Sequence, residues 1–157
     1  MYKKILLAYD GTVEGRTALR EGALMAKRMG AEVFLLSVVA ESSGVMLAEG
    51  AYAGAINSAR PTYQSVLEEG VLRLRVLGLN PDAKLVTGDP PAAICAYARE
   101  IGADLLVVGH RRQNMLQRWW SGSVNASLLD LVNCSILISR NTISDEVVLA
   151  ELNRPDR

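Results

Sequence analysis

Two short stretches carry residue types that can hold a small anionic or polar ligand. The first is Asp10-Gly11-Thr12, directly after the apolar run Ile5 to Tyr9. A carboxylate there can accept hydrogen bonds from a nucleoside, and Gly11 permits close backbone approach. The same residues also suit a helix start, with Asp10 or Thr12 as its cap. The second runs from Gly109-His110-Arg111-Arg112 to Ser121-Gly122-Ser123. Free backbone N–H groups at a helix start, with the Ser123 hydroxyl, can cradle phosphate, and Gly122 lets its oxygens approach. An ordinary N-cap accounts for Gly-Ser equally well. Arg111, Arg112 and Arg118 can neutralise phosphate or be simply solvated.

No set of groups for turnover accompanies them. His110 is the only histidine, without a nucleophile motif or a Cys/His ligand set nearby. Neither a Gly-x-Ser-x-Gly elbow nor a Walker lysine motif is present, which weighs against a hydrolase or nucleotidyl-transferring enzyme. Cys95 and Cys134 are isolated in apolar surroundings and read as small hydrophobes, and no metal is expected. Trp119 and Trp120 read as packing residues, one of them able to stack on a base or meet a partner.

These stretches need strands to present them. Apolar runs at Ile5–Tyr9, Val33–Val39, Leu105–Val108 and Ile136–Ile138, with a weaker one at Ala83–Val86, suit strands covered on both faces. Helical stripes alternate with them: Ala18, Gly22, Met25 and Met29; Leu67, Val71, Leu74 and Leu77; Ile94, Tyr97, Ala98 and Ile101; Val124, Leu128 and Leu131. Pro90 and Pro91 mark a helix start, and Gly30, Gly78 and Gly102 mark helix ends. The order β-α-β-α-β-α-β-α-β implies a single α/β domain, an open parallel five-stranded sheet with helices on both faces. In such a sheet ligands bind beyond the carboxyl ends of the strands.

The chain has 157 residues, half of them hydrophobic, and its 17 basic and 17 acidic residues cancel. One domain, residues 1–143, is expected. A net charge of zero gives no field to draw in nucleic acid or an anionic membrane. The apolar run near Met1 is too short for a signal peptide or a membrane span, so a cytoplasmic location is expected. Residues 41–60, rich in Ser, Gly and Ala, read as a mobile excursion. Residues 144–157 read as a charged C-terminal tail, disordered or packed on a partner through Val147 to Ala150.

The spacing Gly109, two residues, a third position, nine residues, then Gly122-Ser123 resembles the nucleotide motif of the universal stress protein family. So do Ile5 to Thr12, Ala103 to His110, and Cys134-Ser135-Ile136-Leu137-Ile138. The resemblance, over about residues 1–141, implies a Rossmann-like sheet of order 3-2-1-4-5 and a homodimer joined through the last strand. It also implies a stress-response regulator, not an enzyme beyond very slow ATP hydrolysis. The implied ligand is ATP or another adenine nucleotide, with Mg as a candidate companion. The implied contacts are Ala8, Asp10 and the backbone of Val38 around the nucleoside, and Val108, Gly109, Gly122, Ser123, Val124 and Asn125 around ribose and phosphates. Arg112 stands where ATP-binding members carry the motif's second glycine. It either grips phosphate or fills the pocket. The run Gly109 to Gln113 also resembles the universal stress protein A type, whose members lack nucleotide binding and act by protein interaction.

Overall fold

In the computed structural model, residues 1–40, 49–110, 128–140 and 143–152 are described. Strand β1 spans Lys4–Ala8, helix α1 Val13–Met29, β2 Glu32–Ala40, α2 Glu49–Val76 and β3 Asp82–Gly88. They are followed by α3 Pro90–Ile101, β4 Leu105–Gly109, α4 Leu128–Leu131, β5 Ser135–Ser139 and α5 Asp145–Leu152.

All five strands lie in one sheet of order β3-β2-β1-β4-β5, every pairing parallel. The apolar runs become strands because both sheet faces are covered, so neighbouring residues must both be greasy. Ile5, Leu7, Leu35 and Val107 face α1 and α2. Leu6, Leu36, Leu106 and Val108 face the other way, toward Ile94, Tyr97 and Ala98 of α3 and Leu128 of α4. The reversal of winding between β1 and β4 is the switch point that the alternation of elements implies.

Local chemistry sets the helix limits. Thr12 caps α1, its side chain accepting from the Gly15 N–H at 3.0 Å, and Asp89 caps α3 by accepting from Ala92 N–H at 3.3 Å. Helices α1 and α3 stop at Gly30 and Gly102, whose φ values of 58° and 65° are left-handed and favour glycine. At the opposite end of the sheet, Asp104 accepts from the backbone N–H groups of Lys3 and Lys4 at 2.7 and 2.9 Å, tying the entry of β1 to that of β4. Those two hydrogen bonds to the charged form, helped by the lysine charges, hold its carboxyl below the usual range.

Two expectations are corrected. Residues 49–60 of the supposed excursion are the first turns of α2; residues 41–48 lie outside the described residues. Residues 145–152 of the supposed tail form α5, which docks on the chain's own α1. Its Val148 is fully buried, and Glu151 pairs with Arg28 at 2.8 Å. A short helix of this kind draws its stability from tertiary packing, so α5 need not be stable alone.

Both cysteines are free, Cys95 buried and Cys134 half-buried. Burial raises both thiols above their ordinary range, which disfavours the thiolate. Among the described residues no cluster of His, Cys, Asp and Glu could hold a metal ion. No described helix is long and apolar enough to cross a membrane.

Candidate functional site

A crevice of about 100 Å³ opens above the carboxyl ends of β1, β2 and β4. Ala8, Asp10 and Val38, expected around a nucleoside, and Val108 and Gly109, expected around ribose and phosphates, line it together. The other expected contacts, Arg112, Gly122, Ser123, Val124 and Asn125, lie outside the described residues, as do Arg111, Arg118, Trp119 and Trp120.

Backbone geometry fixes the walls. Tyr9 N–H donates to the Leu36 carbonyl at 2.9 Å, extending the β1–β2 pairing past Ala8. The buried Ser37 hydroxyl donates to the Tyr9 carbonyl at 2.8 Å, which satisfies both groups inside the core. On the other side of β1, a Cβ on Gly109 would come within 2.5 Å of the Glu14 carbonyl oxygen and 2.9 Å of the Gly15 nitrogen. The first turn of α1 therefore rests directly on the end of β4, a contact only glycine allows.

Asp10 and Thr12 divide the two roles left open above. Thr12 is the cap, and Asp10 holds Thr12 in place by accepting from its N–H at 3.0 Å and its hydroxyl at 2.6 Å. Asp10 stays exposed at the mouth of the crevice. Its carboxylate thus belongs both to the turn and to the site wall.

Other lining residues were not read from the sequence as site residues: Tyr63 of α2, Leu36 of β2, and Pro90 and Ile94 of α3. Pro90 was legible only as a helix start. Tyr63 carries no local signal, because its place depends on how α2 lies across the sheet. The lining is mostly apolar, with Asp10, Thr12 and Glu14 at one side. Such a slot suits a flat ring with polar edges.

Behind the crevice, the Tyr9 side chain points into the α1–α2 face and its hydroxyl donates to Glu69 Oε2 at 3.0 Å. Arg16 and Arg73 both reach Glu69 Oε1, at 3.0 and 2.8 Å. Partial burial pulls the Glu69 carboxyl upward. Hydrogen bonds from Arg73 and Tyr9 and the two guanidinium charges outweigh it, so the carboxyl sits below the usual range. The Tyr9 hydroxyl is raised, chiefly by burial. No motif links residues 9, 16, 69 and 73, and sequence reasoning missed the cluster.

A profile of the universal stress protein family matches residues 1–140. Universal stress protein YxiE of Bacillus subtilis is 28% identical over 148 residues, covering 89% of this chain and all of that protein. The solved universal stress protein UspA from Lactobacillus plantarum superposes with a TM-score of 0.72 at 20% identity, covering 88% of this chain and 98% of that one. A universal stress protein solved in complex with cAMP gives 0.67 at 22% identity, over 90% and 99%. An Arabidopsis thaliana family protein solved with AMP bound gives 0.62 at 18%, over 92% and 94%.

Proposed function

Since the chain belongs to the universal stress protein family, we propose that it is an adenine-nucleotide-binding regulator that works as a homodimer in the cytoplasm, binding its ligand without efficient turnover. The observation that carries this reading is the meeting of Ala8, Asp10, Val38, Val108 and Gly109 around one slot at the switch point. The cAMP and AMP held by two solved neighbours support the choice of adenine. In this reading the base lies in the apolar slot, its edge met by the backbone at Val38, and Asp10 accepts from the nucleoside. Gly122 and Ser123 cradle the phosphates, with ATP, accompanied by Mg, as the fullest ligand.

Nucleotide released from denatured, purified protein tests this directly, together with calorimetric titration of ATP. Recovered adenine nucleotide, or saturable binding, is the expected result. Arg112→Gly probes the one departure from the family motif. Weaker ATP binding in this variant is expected if the guanidinium grips phosphate, and tighter binding would favour a pocket filled by arginine. An absence of binding to both forms would rule out the nucleotide reading.

The homodimer rests on β5. It ends the sheet with Ile136, Leu137 and Ile138 only half-buried and no charge along its length. Exposed apolar edges invite pairing, and a two-fold pairing closes after two subunits. A monomer mass by light scattering at micromolar concentration would defeat it.

A further inference from the structure

Helices α2 and α5 both pack on α1. From Glu14 to Ala26 every residue of α1 is buried or half-buried, so this helix lies low between its neighbours. Where the three meet, a groove of about 360 Å³ opens. Its surface is almost wholly apolar: Leu19 comes from α1, Leu72 and Val76 from α2, and Leu149 from α5. Leu72, Val76 and Leu149 are 61%, 78% and 43% exposed, an unusual amount of aliphatic surface to leave gathered in one concavity.

Charge in the groove has one dominant sign. Arg16, Arg20 and Arg73 line it with the Glu69 carboxylate, and Arg20 makes an interaction of its own. Arg16 and Arg73 share that carboxylate, so their trio keeps one net positive charge. Further along α1, Glu151 of α5 is engaged by Arg28.

We propose that this groove docks an acidic amphipathic helix of a partner protein. An apolar trough between two flanking helices fits the side chains that a helix presents at i, i+3, i+4 and i+7. Arginines within it complement carboxylates flanking such a stripe, and guanidinium groups bind carboxylates in a directed, bidentate way. The chain's zero net charge makes the local sign of the groove, not a global field, the source of selectivity. The groove is a different concavity from the crevice, joined to it through the hydrogen bond from Tyr9 to Glu69.

The test uses the full chain and a fluorescein-labelled peptide of about five helical turns, with a leucine stripe flanked by glutamates. Fluorescence anisotropy should show saturable one-to-one binding. Replacing the glutamates by lysines should weaken it by about tenfold or more, as should raising the salt concentration. Leu72→Asp and Val76→Asp alter exposed positions, so circular dichroism should be unchanged while binding of the glutamate peptide falls by about tenfold or more. Three results would overturn the proposal. One is no saturable binding, or equal binding of the lysine peptide. Another is a drop in the chain's own assembly mass in Leu72→Asp, which would make the groove's occupant a second copy. The last is binding to anionic phospholipid vesicles, lost in the same variants, with none to the peptide.

Discussion

The crevice above the strand ends and the groove over α1 are walled by different parts of the chain. Backbone closes the crevice: the end of β4 at Gly109 touches the first turn of α1, and Ser37 locks the end of β1 to β2. Side chains wall the groove, with long arginines and exposed aliphatics on helices that meet only through tertiary packing. A wall held by such main-chain contacts has little room to adapt. A site walled by rotatable side chains can adjust to what it receives, at a cost in side-chain entropy on binding.

The strongest way to break this contrast is Gly109→Val. Its Cβ would collide with main-chain atoms of Glu14 and Gly15, which are not flexible side-chain ends. A loss of about 3 kcal/mol in unfolding free energy is expected, together with loss of nucleotide affinity. Urea unfolding and calorimetry check both; an unchanged midpoint would mean that the start of α1 can slide and that the crevice is not rigid.

A smaller effect is expected on the groove side from Glu69→Gln. The partners are about one-third exposed and screened by solvent, so the loss at neutral pH is about 1 kcal/mol. The folded carboxyl lies below its ordinary value of 4.5. Its contribution is therefore complete above that value and disappears as pH falls through the folded one. Thermal unfolding of parent and variant should differ at neutral pH and converge as pH falls through the lowered folded value. A gap that persists in acid would assign the effect to packing.

Tyr9→Phe sharpens the comparison further, because Tyr9 belongs to both regions. Its main chain braces the crevice while its hydroxyl donates to Glu69. Removing that hydroxyl should cost about 0.5–1 kcal/mol and leave nucleotide affinity unchanged. A clear shift in affinity by calorimetry would show that the two regions are coupled through this side chain.

The same contrast explains what could be read from the sequence. Val33 to Val39, broken only by Ser37, and Leu105 to Val108 are legible as strands because two covered faces demand runs of apolar residues. Once the strands run parallel, residues just past their carboxyl ends must gather, which points to Asp10 and Gly109; Ala8, Val38 and Val108 are legible only through the resemblance to the universal stress protein family. Glu69 could not: it meets Tyr9 across 60 residues, through the placement of α2. Helix α5 was hidden because Val148 alone is fully buried among its described side chains, and the helix packs on the distant α1. Thr12 and Asp10 were both plausible caps by type, and only geometry divides them.

The tie between Asp104 and the N–H of Lys4 spans 100 residues, and it sits at the foot of the central β1–β4 pairing. On a ribosome, β1, β2 and β3 emerge and can pair before β4 exists. During that interval β1 shows an apolar edge to the cell, with Ile5, Leu6 and Leu7 awaiting Leu105, Leu106 and Val107. Closing so long a loop is slow. The nascent chain therefore passes through a stage in which its most central strand is its most adhesive, and a chaperone that shields β1 until β4 arrives would raise the yield of native protein more than one acting on the finished chain.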